Sequence, residues 1–443
     1  MTSIFEERFL QGGESLVNAA GNIKCIYSSE EECRTAVLSF PKAVMEAAPG
    51  ITISQAVVKA TERRIEDNFK DVIDELERKL RVQRNRPYDV MIRGFMGAER
   101  SRKTGLPAVE CADGDYIDEG TQKKSGLSRD GAVTMRLCEK SFGIVRPDIR
   151  RVAMNIGDLA DSNGWLAVVH IDGNEIGRRF AASGGSKERL VELSRGISKA
   201  AVEASHAAFK TVCKSDADKY PLRPIVLGGD DVTVISRASV AVDYVKAYLE
   251  AFEEETLKSL GEKLTACAGI AYIKSSYPFH YGYELSMSLC DHAKKVSKQS
   301  GLRDKAGNVP SSMMFYKVQG SFVESYARLI EKEKQPSEGH SFNFGAYFLR
   351  PAETFWTIDD LVGAARSLQR DGGSVVKSGI RKWMSVMWQS VELARQMEER
   401  SKSLLSEPQQ KLFCKAVQGV CRRGSEERFY PASDIIDMYT MLK

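Results

Sequence analysis

Gly228-Gly229-Asp230-Asp231 stands between two apolar runs, Pro224 to Leu227 and Val232 to Ile235, and reads as the tip of a β-hairpin carrying two carboxylates. Glycines at such a tip tolerate positive φ and let a ligand approach the backbone, and rigidly held paired carboxylates suit a divalent cation. A second acidic segment lies upstream. Trp165 to Ile171 is an apolar run of strand length, Asp172 sits where it ends, and Gly173, Asn174 and Gly177 follow, with Glu175 and Ile176 between them. Backbone N–H groups in a Gly-rich strand-to-helix turn can bind phosphate oxygens, and an aspartate at the strand end can bind the accompanying Mg²⁺. Each motif alone is also a common turn, so the weight falls on whether the fold brings them together.

The elements that would do so follow from periodicity. Ser186 to Lys214 reads as a long helix between the two motifs. After the tetrad come a helix over 240–260, a strand over 264–273, a helix over 283–297 and a strand over 313–318. This β-α-β-β-α-β-α-β order predicts a ferredoxin-like antiparallel sheet, with Asp172 on a central strand and the hairpin tip beside it. Adjacent strand residues face opposite ways, so Asp230 and Asp231 can act together only where the tip breaks that alternation. His170 shares a sheet face with Asp172 and is expected to be a packed, hydrogen-bonded histidine.

Together the strand ending in Asp172-Gly173-Asn174, the Leu-Gly-Gly-Asp-Asp tip, Cys267 to Lys274 and the helix with Ala293-Lys294-Lys295 resemble the palm domain shared by GGDEF cyclases and CRISPR type III large subunits. The CRISPR branch is the better resemblance, because Asp231-Val232 stands where GGDEF proteins have Glu-Phe, and Met313 to Ser321 is similar to its last palm segment. The resemblance covers about 165–321. It implies an α+β fold with two ferredoxin-like palms, the first degenerate and truncated and the second active, followed by a helical C-terminal domain. The expected divisions are 1–83 for the first palm with a long helix, 84–160 for a connector, 161–322 for the second palm and 323–443 for the helical domain.

The resemblance also implies an activity: a nucleotidyltransferase or cyclase that uses ATP and two Mg²⁺ or Mn²⁺ ions to make a cyclic oligonucleotide messenger in antiviral defence. A ribose 3′-hydroxyl is a poor nucleophile until a metal lowers its pKa, and a second metal neutralises the triphosphate. Asp172, Asp230 and Asp231 are the expected catalytic metal ligands, and Gly173, Asn174, Gly177, Gly228 and Gly229 are expected to contact the nucleotide. By resemblance Lys294 faces the terminal phosphates, competing with Lys295 and Lys298, and Gly21 and Asn22 of the degenerate palm touch the acceptor nucleotide. Two other functions stand beside this one: a nucleotide- or RNA-binding scaffold subunit of a type III-like effector, and a GGDEF-type cyclic dinucleotide synthase. Against the last, no Arg-x-x-Asp lies immediately before the tetrad, since Arg223 is followed by Pro224, Ile225 and Val226.

In the remainder of the chain, Gly12 to Tyr27 predicts a hairpin, 30–48 a helix and 51–59 a strand, a set that resembles part of the first palm without its acids. Ile65, Phe69, Val72, Ile73, Leu76 and Leu80 predict one amphipathic helix over 61–83. Helices are predicted over 357–368, 375–399, 407–422 and 433–442. The net charge of +4 over 443 residues does not demand a nucleic-acid partner, and no apolar stretch is long enough to span a membrane. Nine cysteines with no C-x-x-C pair suggest reduced thiols and a cytoplasmic location, and Cys111 alone in the connector predicts no zinc ribbon. No His-Asp dipeptide occurs, so no HD nuclease is expected. Nucleoside triphosphates are the expected partners; homo-oligomers, RNA and effector subunits are compatible with the sequence but not required by it.

Overall fold

The computed structural model describes residues 2–19, 21–86, 97–112, 114–183, 185–214, 217–299, 301–320, 325–352, 354–422 and 425–442. The chain divides into two compact units, Met1–Leu137 with Ile176–Lys199, and Cys138–Glu175 with Ala200–Lys443. Among the described residues no helix is long and apolar enough to cross a membrane.

The first unit contains α1 (Thr2–Arg8), the hairpin β1 (Gly13–Ala19) and β2 (Asn22–Tyr27), α2 (Glu30–Ala47), α3 (Glu62–Asp67) and α4 (Phe69–Arg84). The hairpin β3 (Ala108–Ala112) and β4 (Asp115–Asp118) follows, then α5 (Glu119–Asp130), and later α7 (Ile176–Ser183). The chain of α6 (Ala132–Phe142) and of α8 (Lys187–Val212) passes from one unit to the other. Ser29 starts α2 by accepting the Glu31 and Glu32 N–H groups, in front of a run of three glutamates that favours the helix N-terminus. Phe5, Phe40 and Val44 form one small core, and Leu16, Val17, Phe69 and Leu190 form another.

Two sequence expectations are corrected here. Residues 51–59 form no strand; helix α4 serves them instead, with Gln83 Oε1 accepting the Gln55 N–H and Lys79 Nζ donating to Val57 O at 3.3 Å. The helix expected over 61–83 breaks at Asn68, whose backbone leaves the helical region between α3 and α4. The expected connector carries the β3–β4 hairpin and α5, capped by Asp118.

The second unit is built on β5 (Trp165–Gly173), β6 (Leu222–Gly228), β7 (Asp231–Arg237), α9 (Ala241–Leu260), β8 (Ala266–Lys274), α10 (Phe279–Ser297) and β9 (Ser312–Lys317). After these come α11 (Tyr326–Glu333), β10 (His340–Ser341), β11 (Tyr347–Phe348), α12 (Ile358–Ser367), α13 (Gly373–Met387), α14 (Val391–Leu404), α15 (Glu407–Val417), β12 (Val420–Cys421), β13 (Arg428–Phe429) and α16 (Ala432–Met441). The sheet order is β11-β9-β8-β5-β7-β6. Its β8-β5-β7-β6 part is the antiparallel ferredoxin-like arrangement that the sequence predicts, and β9 adds parallel to β8 through α10. The fold is α+β. The helix expected over 375–399 is two helices, because Ser390 caps α14 after α13 has ended, and α15 stops at Val417 before the short strand β12.

Strand β5 is central and covered on both sides: Leu166, Ala167, Val168, Val169 and Ile171 are all fully buried. Each of its larger side chains contributes roughly 1.5–3 kcal/mol by leaving water. Leu166 and Val168 belong to one core with Leu285, Leu289, Cys290 and Ala293 of α10. Helix α10 lies close because residue 269 has no side chain: a Cβ there would sit 2.0 Å from Ser286 O and 2.5 Å from Cys290 N. That close crossing sets which α10 residues reach the end of β5.

Candidate active site

The backbone register brings the acids together. β5 and β7 run antiparallel with a last paired rung at Ile171 and Val232, so one step further Asp172 stands opposite Asp231. On its other side Asp172 pairs with Cys267 of β8. Gly228 and Asp231 close the β6–β7 ladder, leaving Gly229 and Asp230 as a two-residue turn. Gly229 has φ +64 and carries the left-handed conformation that such a tight turn requires. Asp230 therefore lies in the turn rather than in the strand, free of the alternation that would turn it away from Asp231.

The side chains then interlock. Lys294, from α10, donates to Asp172 Oδ2 and, at 2.9 Å, to Gly173 O. Of the three lysines on that helix only Lys294 reaches the acids, and Lys295 and Lys298 are exposed. Burial first, then the neighbouring Asp172 charge, pushes the Asp230 carboxyl up to about 6. Burial also raises Asp231, with Asp172 adding to the shift and His170 and Lys294 opposing it. His170 is buried and pairs across the strands with Thr233, its Nδ1 lying 3.1 Å from Thr233 Oγ1 and 3.5 Å from Asp231 Oδ1. Burial lowers its pKa and favours the neutral ring, as expected of a packed histidine. Tyr283 of α10 meets the His170 ring edge-on, 6.0 Å between centroids.

The Asp172 and Asp231 side chains are 36% and 34% exposed, yet Asp231 Oδ1 is itself buried with no hydrogen-bond partner. Three carboxylates thus face one ammonium group. Among the described residues no three His, Cys, Asp or Glu side chains stand as a ready metal cage, and Lys294 supplies the positive charge at Asp172. The donor set fits a hard divalent cation all the same: it is all oxygen, it carries excess negative charge, and one oxygen accepts no hydrogen bond.

The turn after Asp172 is tied to Thr265 at the start of β8. The Asn174 N–H donates to Thr265 O at 2.8 Å and its Nδ2 to Thr265 Oγ1 at 3.0 Å, while Oγ1 donates to Val309 O at 2.6 Å. The Asn174 backbone N–H and one of its Nδ2 hydrogens are thus engaged at Thr265. Its free atom is the buried Oδ1, which accepts. Gly173 is buried at the strand end, and Gly177 is exposed in the first turn of α7, with open space where a Cβ would lie. Gly21, with φ +77, and Asn22 are exposed at the β1–β2 tip in the first unit. Sequence reasoning missed Thr233 and Thr265. The first is legible from the β5–β7 register, which places it opposite His170; the second carries no motif.

The family model for the Cas10/Cmr2 second palm domain matches residues 165–305. Among solved structures, the Csm1-Csm4 cassette in complex with pppApA aligns at 11% identity with a TM-score of 0.59, covering 100% of this chain and 64% of that one. The same cassette in complex with AMPPNP gives 12% identity, a TM-score of 0.56 and coverage of 100% and 65%. Csm1 from T. onnurineus gives 12%, 0.53, 100% and 64%. The chain thus spans less than two thirds of the length of these solved relatives, with which it shares a fold. No curated protein matches the sequence. Residues 165–305 are thus similar to the second palm domain of Cas10/Cmr2, and the chain shares the Csm1 fold.

Proposed function

We propose that this chain is a palm nucleotidyltransferase that joins ATP molecules through 3′-hydroxyl attack on an α-phosphorus and makes a cyclic oligoadenylate messenger for antiviral defence. The observation that carries the reading is the meeting of Asp172, Asp230 and Asp231 at adjoining strand ends with Lys294 and a buried Asp231 Oδ1 that accepts no hydrogen bond. A solved relative holds pppApA, which is what two ATP give when one pyrophosphate leaves, and another structure of it holds AMPPNP.

Two Mg²⁺ or Mn²⁺ held by Asp172, Asp230 and Asp231 would supply a lowered pKa for the attacking hydroxyl and countercharge for the triphosphate. The chain's own residues prepare for this. Asp230 gives up the proton that its environment favours, and Lys294 neutralises Asp172 until ligand arrives, then offers a mobile cation to phosphate. Neutral His170 and Thr233 back the Asp231 side of the cluster. Gly228 and Gly229 keep the tip narrow enough for close approach by nucleotide. A Csm4-like partner subunit and contacts from Gly21 and Asn22 to an acceptor nucleotide extend the same reading.

Purified protein incubated with each NTP and Mg²⁺ or Mn²⁺, its products identified by mass spectrometry, tests this. ATP-derived oligoadenylates, lost in an Asp230→Asn, Asp231→Asn double variant, are expected. Product that survives the double variant refutes the metal assignment; nucleotide binding without product under any condition favours a scaffold subunit.

A further inference from the structure

The turn that carries Asp172 is fastened from elsewhere in the chain. Glu175, three residues on, has φ +55, a left-handed conformation that residues with a Cβ seldom adopt. Both terminal nitrogens of Arg303 meet its carboxylate: Nη2 donates to Oε1 at 2.8 Å and Nη1 to Oε2 at 3.1 Å, while Nη1 also donates to Gly307 O at 2.7 Å. Their side chains are only 33% and 18% exposed. The loop bearing Arg303 is itself fixed. Leu302 is buried in the palm core, Asp304 Oδ1 accepts from the Ala306 and Asn308 N–H groups at 3.0 and 2.9 Å, and Lys263 Nζ lies 3.1 Å from Asp304 Oδ2. At its far end Val309 O takes the Thr265 hydroxyl that receives Asn174. One ordered loop therefore grips the turn twice, at Asn174 through Thr265 and at Glu175 directly.

Building on the nucleotidyl-transfer reading, we propose that Arg303 is a positioning residue: by holding Glu175 left-handed it keeps the preceding turn, and with it Asp172, aligned with Asp230 and Asp231. A non-glycine residue in that region relaxes once its restraint is gone, and a small rotation there moves Asp172 off its partners. The two-pronged grip needs a guanidinium, because an ammonium cannot serve both carboxylate oxygens and the Gly307 carbonyl in one plane.

The test compares wild type, Arg303→Ala and Arg303→Lys by thermal midpoint, by hydrogen exchange of the 173–176 amides, and by kcat and KM for ATP. In Arg303→Ala the expected result is a retained fold, faster exchange at those amides, and a kcat about tenfold to a hundredfold lower with KM changed by less than about threefold. Arg303→Lys recovers part of kcat, and it carries the comparison if the alanine variant does not fold. Wild-type exchange at 173–176, or a kcat within about twofold of wild type, overturns the role. Exchange is read without turnover, so if wild type forms no nucleotide product it still decides what Arg303 does, while that lack of product counts against the proposed function instead.

Discussion

The second unit holds two clusters of withdrawn acids, and they are built on opposite terms. At the strand ends, Asp172, Asp230 and Asp231 gather around Lys294, and Asp231 Oδ1 accepts no hydrogen bond. Around α16, Asp434 and Asp437 share two lysines. Lys334 Nζ donates to Ser433 Oγ at 2.7 Å and to Asp434 Oδ1 at 3.1 Å and lies 3.9 Å from Asp437 Oδ2. Tyr347 donates to Asp434 Oδ2 at 2.8 Å, and Lys317 Nζ lies 3.9 Å from Asp437 Oδ1. Both clusters lift one aspartate to about 6, burial being the leading cause each time. A raised carboxyl therefore does not identify a site here. The proposed site rests instead on charge imbalance at an accessible strand end, whereas the α16 cluster sets two lysines against two aspartates.

Breaking the imbalance should produce the largest effect. Asp230→Asn with Asp231→Asn is expected to lower nucleotide product by roughly a thousandfold or more, measured by mass spectrometry. The same change should raise the metal-free stability at pH 7.5 by on the order of 1–3 kcal/mol, because it removes like charge from a half-buried site, and urea denaturation reads this. Lys334→Met should do the reverse: a loss of about 3–5 kcal/mol in stability from leaving Asp434 and Asp437 uncompensated, with kcat per folded molecule unchanged. Lys294→Met falls between, lowering stability by about 1–2 kcal/mol and turnover by about tenfold or more, since it removes the ammonium that pairs with Asp172.

The smallest effect is in pH dependence, and its sign is set by the two raised carboxyls. Each moves from 3.8 unfolded to about 6 folded, so the protonated form favours the folded state. That contribution is complete below pH about 4 and is lost as pH rises through about 6. Metal-free stability should therefore fall between pH 4.5 and 7. Asp230→Asn should flatten part of the fall, and Mg²⁺ with AMPPNP should offset the Asp230 part while leaving the Asp437 part in place.

What could be read from sequence follows from which geometry is arithmetic. The apolar runs before Asp172 and around the Gly-Gly-Asp-Asp tip fix strand ends, and antiparallel register then places Asp172 beside Asp231. The resemblance names Lys294, whereas periodicity alone does not choose it over Lys295 and Lys298, because its reach depends on how closely α10 crosses the sheet at Gly269. Residues 51–59 have strand periodicity yet form no strand, since period-2 patterning reports faces and not the presence of a neighbour. Arg303 and Lys334 were invisible for a related reason: their partners, Glu175 and Asp434, lie 128 and 100 residues away in sequence and carry no shared motif.

The most direct test of the central contrast is Mn²⁺ binding followed by electron paramagnetic resonance in the presence of AMPPNP, comparing wild type, Asp230→Asn with Asp231→Asn, and Asp434→Asn. Wild type and Asp434→Asn should bind Mn²⁺ alike, and the palm double variant should lose it. Binding that persists in the double variant, or vanishes only in Asp434→Asn, would contradict the assignment of the uncompensated cluster as the active site.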